Sequence, residues 1–367
     1  MKHALVLLPL LACRAAGPSA ADAGRAAPPP APPALLERID VHVHTQAPLY
    51  GLALKILEES GVASMVNLSG GPPGPTLVQS LEAAVRFPGR VAVCTNLEGR
   101  HIRAEDFGAR MAADVGMAVR MGAACLKIPK GLGLGITDPA GRLLAIDDQR
   151  LAPVWEMAGK TGTPVFIHVG DPAAFWQPVT PANERYDELR LNPDWSYAGA
   201  DVPSRARLLE QSEHVLAAHR GTVFVGVHFG NDPESVAATA ERMRRHPNLW
   251  IDTAARVGEI GRQPRELLQA FFTEFQDRVM FGTDLGVTEG GLMLGAPGER
   301  EPQWSDALVF FRAHWRFFET LDRNLEHPTP IQGRWKVQGI GLPREVQAKF
   351  YAGNARRLLR WPDSGKH

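Results

Sequence analysis

Six residues of this sequence could do chemistry together: His42, His44, Lys127, His168, His228 and Asp284. The first two stand in "RIDVHVHTQ", Arg38 to Gln46. With a period of two, Ile39, Val41 and Val43 share one face, and Asp40, His42 and His44 share the other. Two imidazoles two apart on a strand can both reach one ion. The other four stand late in the apolar runs "AACLKIPKG", "TPVFIHVGD", "TVFVGVHFGN" and "RVMFGTDLG". One buried histidine is usually a satisfied core residue. Four histidines and an aspartate on one rim, without a partner, would cost several kcal/mol in desolvation and crowding. A divalent cation removes that conflict, because neutral imidazoles and a carboxylate bind zinc and its first-row relatives.

These residues need elements that bring them to one rim. From Leu36 onward, eight short apolar runs alternate with stretches whose apolar residues recur at helical spacing, such as "TLVQSLEAAVRF" and "PESVAATAERMRRH". Strand, loop and helix, repeated eight times, predict an α/β fold: a single-domain (β/α)8 TIM barrel over 36–362. A doubly wound open sheet is the rival. "KGLGLGITD" lacks the glycine spacing of a dinucleotide loop and is set aside. In a barrel, a residue late in a strand on the inward face points at the C-terminal mouth. The stretch from Asp171 to Arg205 is far longer than a usual strand-to-helix loop and is rich in Trp, Tyr and Pro. It reads as a lid over that mouth or as a surface excursion.

Lys+Arg and Asp+Glu balance at 40 each in 367 residues, which gives no electrostatic case for a nucleic-acid partner. Lys2 followed by the apolar run from Ala4 to Ala12 fits a signal peptide over 1–13. "LLAC" is similar to a bacterial lipoprotein box, with Cys13 as the lipidated residue and a membrane tether. Ordinary cleavage near "PSAADA" is the alternative. An Ala/Pro-rich disordered spacer follows over 14–35. The expected location is exported, periplasmic or lipid-anchored. Cys94 and Cys125 sit in apolar runs, where buried free thiols are the default, although an oxidising compartment could pair them.

"DVHVH", "FIHVGD", "GVHFGN" and "MFGTD" stand in the order found in the amidohydrolase superfamily of metal-dependent barrels, which the sequence resembles from about Leu36 to Leu359. The closing "YAGNARRLL" is similar to that of the amidohydrolase-related branch, which includes decarboxylases of the aminocarboxymuconate-semialdehyde type. The resemblance implies His42, His44, His168 and Asp284 as ligands of a divalent metal, zinc first among them. It makes Asp284 the proton shuttle as well. His228 becomes a second-site ligand or the group that polarises the substrate. Lys127 becomes either a bridge between two metals or, the favoured alternative, a buried or salt-bridged lysine of the barrel wall.

The implied reaction is hydrolysis of an amide, ester or lactone of a small molecule. Non-oxidative decarboxylation is the rival, and a non-catalytic metal-bound binding protein stands third. Arg100, Arg185 and Arg256 are candidates to clamp a substrate carboxylate. Their partners could equally be Glu184, Asp187 or Asp252. Trp176, Tyr186, Trp195 and Tyr197 are candidates to cover an apolar group.

Overall fold

The structure, a computed structural model, describes residues 35–361. The expected signal peptide, Cys13 and nearly all of the spacer lie outside these residues. Ten strands form one sheet: β1 (Ile39–Thr45), β2 (Ser64–Asn67), β3 (Val91–Asn96), β4 (Cys125–Ile128), β5 (Val165–Ile167), β6 (Phe224–Gly226), β7 (Leu249–Asp252), β8 (Val279–Met280), β9 (Leu285–Thr288) and β10 (Gly291–Leu294). Their order is β10-β9-β1-β2-β3-β4-β5-β6-β7-β8. Every pairing from β9 to β8 is parallel, and β10 returns antiparallel on β9.

The sheet curls, and the segment after β8 comes back against β1. β8 and β9 are the two halves of the run read as an eighth strand, separated by Phe281–Asp284. That linker hydrogen-bonds to β1: Val41 N donates to Phe281 O at 3.0 Å, and Asp284 N to His42 O at 2.9 Å. Two apolar layers result. Ile39, Val41, Val66, Leu68, Cys94, Cys125, Phe166, Val225, Val227 and Met280 pack on one another inside the curl. Ala352 and Ala355 of the closing segment join them. Val43, Met65, Leu126, Ile128, Ile167 and Ile251 face the helices.

The helices follow from local sequence. Phe107–Met121 buries Phe107, Met111, Val115 and Ala118 along one stripe and stops at left-handed Gly122 (φ 111°). Ser204 and Ser235 cap the helices after β5 and β6 by accepting from Arg207 N and Ala238 N.

Two expectations need correction. The alternation along β1 is not continuous. The register slips between Asp40 and Val43, so Ile39 and Val41 face inward while Val43 faces the helices. An extra residue in a parallel pair produces that switch. The cysteines are not free thiols: Cys94 and Cys125, directly opposite each other on β3 and β4, form a disulfide. Among the described residues, no helix is long and apolar enough to cross a membrane.

Candidate metal centre

The turns after β6, β7 and β8 hold the site, and they are strained. Among the described residues seven non-glycine residues have positive φ, and five lie there: His228, Phe229, Asn231, Ala255 and Asp284. Each such residue costs about 1–3 kcal/mol and persists only where its surroundings enforce it. His228 is therefore not on a strand, as its run suggested. β6 stops at Gly226, and the next turn places His228 (φ 53°) and Phe229 (φ 59°) in the left-handed region. Gly226 is needed because a Cβ there would lie 2.9 Å from Gly230 Cα. Gly282, in the linker that ends at Asp284, passes so close to β1 that a Cβ would lie 2.9 Å from His42 Cβ.

The turns bring His42, His228 and Asp284 together, with one donor atom from each within 4.8 Å of the others. Asp284 Oδ1 lies 3.6 Å from His42 Nε2 and 3.5 Å from His44 Nε2. The ring of His44 is 5.2 Å from that of His42, and the ring of His168 is 4.4 Å from that of His228. His42 and His228 are fully desolvated. Burial, with Lys127 beside His42 and Arg256 beside His228, holds both rings far below the usual histidine range. Burial lowers His44 to about 3 and His168 to about 4. All four imidazoles are neutral at neutral pH.

Neighbours fix which ring nitrogen carries the proton. His42 Nδ1 lies 2.8 Å from Asp252 Oδ2. Burial raises Asp252 to about 6, so at neutral pH it is a carboxylate and can only accept. Its Oδ1 also accepts from His228 N at 2.8 Å and Ala254 N at 3.1 Å. His228 Nδ1 donates to Ala254 O at 2.9 Å. Both rings thus carry their proton on Nδ1 and offer the Nε2 lone pair. His42 Nε2 and His168 Nε2 are buried without a hydrogen-bond partner. The orphaned Nε2 lone pair of His42, beside the Asp284 carboxylate, fits a divalent ion. An Nε2 without a proton cannot donate to an oxyanion, which favours His228 as a ligand over His228 as the group that polarises a substrate.

Asp252 is the residue that sequence reasoning placed wrongly. In the sequence it reads as a partner for an arginine; in the structure it ends β7 and faces the same interior as the histidines. Glu184 pairs with Arg262, and Asp187 with Arg334. Arg185 is not available to a substrate. It is fully buried, with Nη1 2.6 Å from Glu188 Oε2 and Nη2 against Glu259. Arg256 differs. It is 6% exposed, its Nη1 donates to Ala255 O at 2.8 Å, and no carboxylate lies within 4.0 Å of it among the described residues. Lys127 is buried beside the cluster, but among the described residues it makes no salt bridge, and its Nζ has no hydrogen-bond partner. Burial pulls it down to about 8. The side chain of Arg100 lies outside the described residues.

The segment from Asp171 to Arg205 touches the loops beyond β4, β6, β7 and β10. Tyr197 OH donates to Asp171, Lys130 lies over Trp195, Arg185 meets Glu259, and Arg190 meets Glu299. Its aromatics hold one another. Trp176 packs on Tyr197 at 4.6 Å and Trp195 on Phe175 at 6.4 Å. Tyr186 faces a separate cavity of about 450 Å³ with Trp335 and Arg334, which none of the six residues lines.

Asp40 supports the site from below. It accepts from His42 N at 3.0 Å, from Thr283 N at 3.1 Å and from Thr283 Oγ1. Burial nevertheless raises it to about 7. A carboxyl raised in the folded state binds its proton more tightly there than in the unfolded chain. Stability should therefore fall as pH rises from about 4 to about 7, by up to about 1.4 kcal/mol per pH unit for this group. Asp252 adds with the same sign. Urea midpoints of chelator-treated protein should drop between pH 5 and pH 7, and Asp40→Asn should shrink that drop. An equal drop in the variant would remove Asp40 as its source.

Comparison with known proteins agrees with this architecture. Among curated proteins none matches significantly. An uncharacterized TIM-barrel protein from Bordetella bronchiseptica is similar in fold (TM-score 0.52, 16% identity, covering 89% of this chain and 99% of that one). So are 2,6-dihydroxybenzoate decarboxylase (0.51, 12%, 89% and 99%) and 5-carboxyvanillate decarboxylase from Sphingomonas paucimobilis (0.51, 14%, 89% and 100%). The sequence profile of the Amidohydrolase family matches residues 81–361, most of the chain, and with the fold described above this protein belongs to that enzyme family.

Proposed function

We propose that the protein is a metal-dependent hydrolase that cleaves an amide, ester or lactone bond in a small carboxylic acid. The observation that carries this is Asp284, whose Oδ1 lies between the Nε2 atoms of two neutral histidines and whose side chain keeps 16% exposure. His42, His228 and Asp284 would hold the ion, and His44 and His168 would complete its ligands. Zinc, bound there, would supply Lewis acidity and an acidified water. Asp284 takes the proton of the attacking water and returns it to the leaving group. Arg256, a buried cation with no carboxylate within 4.0 Å among the described residues, orients the substrate carboxylate. The location we propose is outside the cytoplasm. It is supported by the signal-like N-terminus and by the Cys94–Cys125 disulfide, since such bonds persist in oxidising compartments.

Arg256 also favours a second reading, decarboxylation, in which the clamped carboxylate is the group that leaves. A screen of lactones, amides, esters and aromatic carboxylates should read acid release and carbon dioxide separately, beside metal analysis of protein purified without chelator. The expected result is about one zinc-like ion per chain and acid release without carbon dioxide. Carbon dioxide release would move the assignment to the carboxy-lyase. About two ions would make Lys127 a bridge, and no metal would end both readings.

A further inference from the structure

The long segment meets the histidine cluster at one carboxylate, Asp171, which is 6% exposed. Its Oδ2 accepts from Lys130 Nζ at 2.8 Å and from Tyr197 OH at 2.9 Å. Its Oδ1 lies 3.7 Å from His168 Nε2. That distance is too long for a hydrogen bond, and His168 Nε2 is buried with no other partner. The imidazole therefore stands beside the carboxylate without being bound to it. The two groups on Oδ2 are themselves held by the segment. Lys130 Nζ sits 5.1 Å from the centre of the Trp195 ring, and the Tyr197 ring packs on Trp176. Tyr197 N donates to Phe175 O at 2.7 Å. At the far end, Arg205 Nε donates to Asp171 O at 3.2 Å, and its Nη2 pairs with Asp232 and Glu234.

We propose that Asp171 is a positioning residue through which Lys130 and Tyr197 set the ring of His168, so that the seating of the long segment governs metal affinity. The inference rests on the proposed function, in which His168 stands at the ion. Two donors on Oδ2 fix the rotation of the carboxylate and keep Oδ1 just out of hydrogen-bond reach of Nε2. With a donor removed, the carboxylate can turn and accept a hydrogen bond from that imidazole, which then carries its proton on Nε2 and has no lone pair there for an ion. The carboxylate then competes with the ion for the same nitrogen. Partners of this kind, one step removed from a metal, typically change affinity by about 10- to 100-fold.

The experiment uses the whole protein and two readouts: zinc affinity by competition with a chromophoric chelator, and ring 15N signals of the histidines in the zinc-free protein. Tyr197→Phe deletes one hydroxyl that does not touch His168. It should weaken zinc about 10-fold and move the His168 ring signals while leaving those of His44 in place. Lys130→Met should act in the same direction and provides the test if the first variant misfolds. Wild-type zinc affinity and unmoved His168 signals in both variants would overturn the coupling while leaving the proposed function intact. A wild-type protein that binds no zinc would overturn the proposed function and this inference with it.

Discussion

Asp284→Asn protein is expected to fold, to retain most of its metal and to turn over about 10²–10⁴-fold more slowly. The backbone argues for the fold. Asp284 holds φ at 64°, a conformation that Asn adopts about as readily as Asp, and its N–H donation to His42 O does not involve the side chain. The amide oxygen can still face His42 and His44, but it cannot take a proton near neutral pH. Alanine would be a poorer test, because the left-handed backbone would then be adopted by a residue that disfavours it by about 1–2 kcal/mol. The measurement is kcat on the substrate that the screen identifies, with metal content and circular dichroism on the same sample. Turnover at the wild-type rate would remove Asp284 as the proton shuttle.

The second large effect is expected at Asp252, a residue that touches no substrate. In Asp252→Asn, one arm of the side chain can still accept from His228 N and Ala254 N, as Oδ1 does now. The other arm becomes an NH2 group facing His42 Nδ1. An NH2 group donates, so the imidazole must shift its proton to Nε2. That nitrogen then has no lone pair for an ion. Zinc affinity should fall by at least about 10- to 100-fold, with thermal unfolding of the apo protein little changed, since the volume and the two backbone bonds are kept. Chelator competition and the ring 15N shifts of His42 check both halves. Wild-type affinity would mean that His42 does not bind the ion through Nε2.

Much of this arrangement was legible in the sequence, and the failures share one cause. Runs of alternating or continuous apolar residues mark the parallel strands β1 to β8, because burial on both faces of a curled sheet favours such runs. The late positions of His42, His168 and Asp284 pointed to one rim for the same reason. Backbone departures were not legible. The slip between Asp40 and Val43, the break between β8 and β9, and the left-handed turn at His228 each follow from packing against distant segments. "GVHFG" carries a signal that could have been used, since glycines on both sides of a histidine mark a turn at least as well as a strand. Pairing was the other gap. Arg185 and Arg256 look alike in the sequence, yet only Arg185 finds carboxylates, because Glu188 lies one turn along its own helix and Glu259 arrives from beyond β7.

The disulfide bears on the history of the molecule. Both sulfurs are fully enclosed by the inner layer, so no oxidant can reach them once β1 and the linker after β8 have sealed the curl. Their separation of 31 residues makes the loop that the bond closes a short one. The bond is therefore written during assembly and stored afterwards. A folded molecule carries in its two sulfurs a record of the redox conditions under which it was assembled, and later transfer to another compartment leaves that record unaltered until the barrel opens.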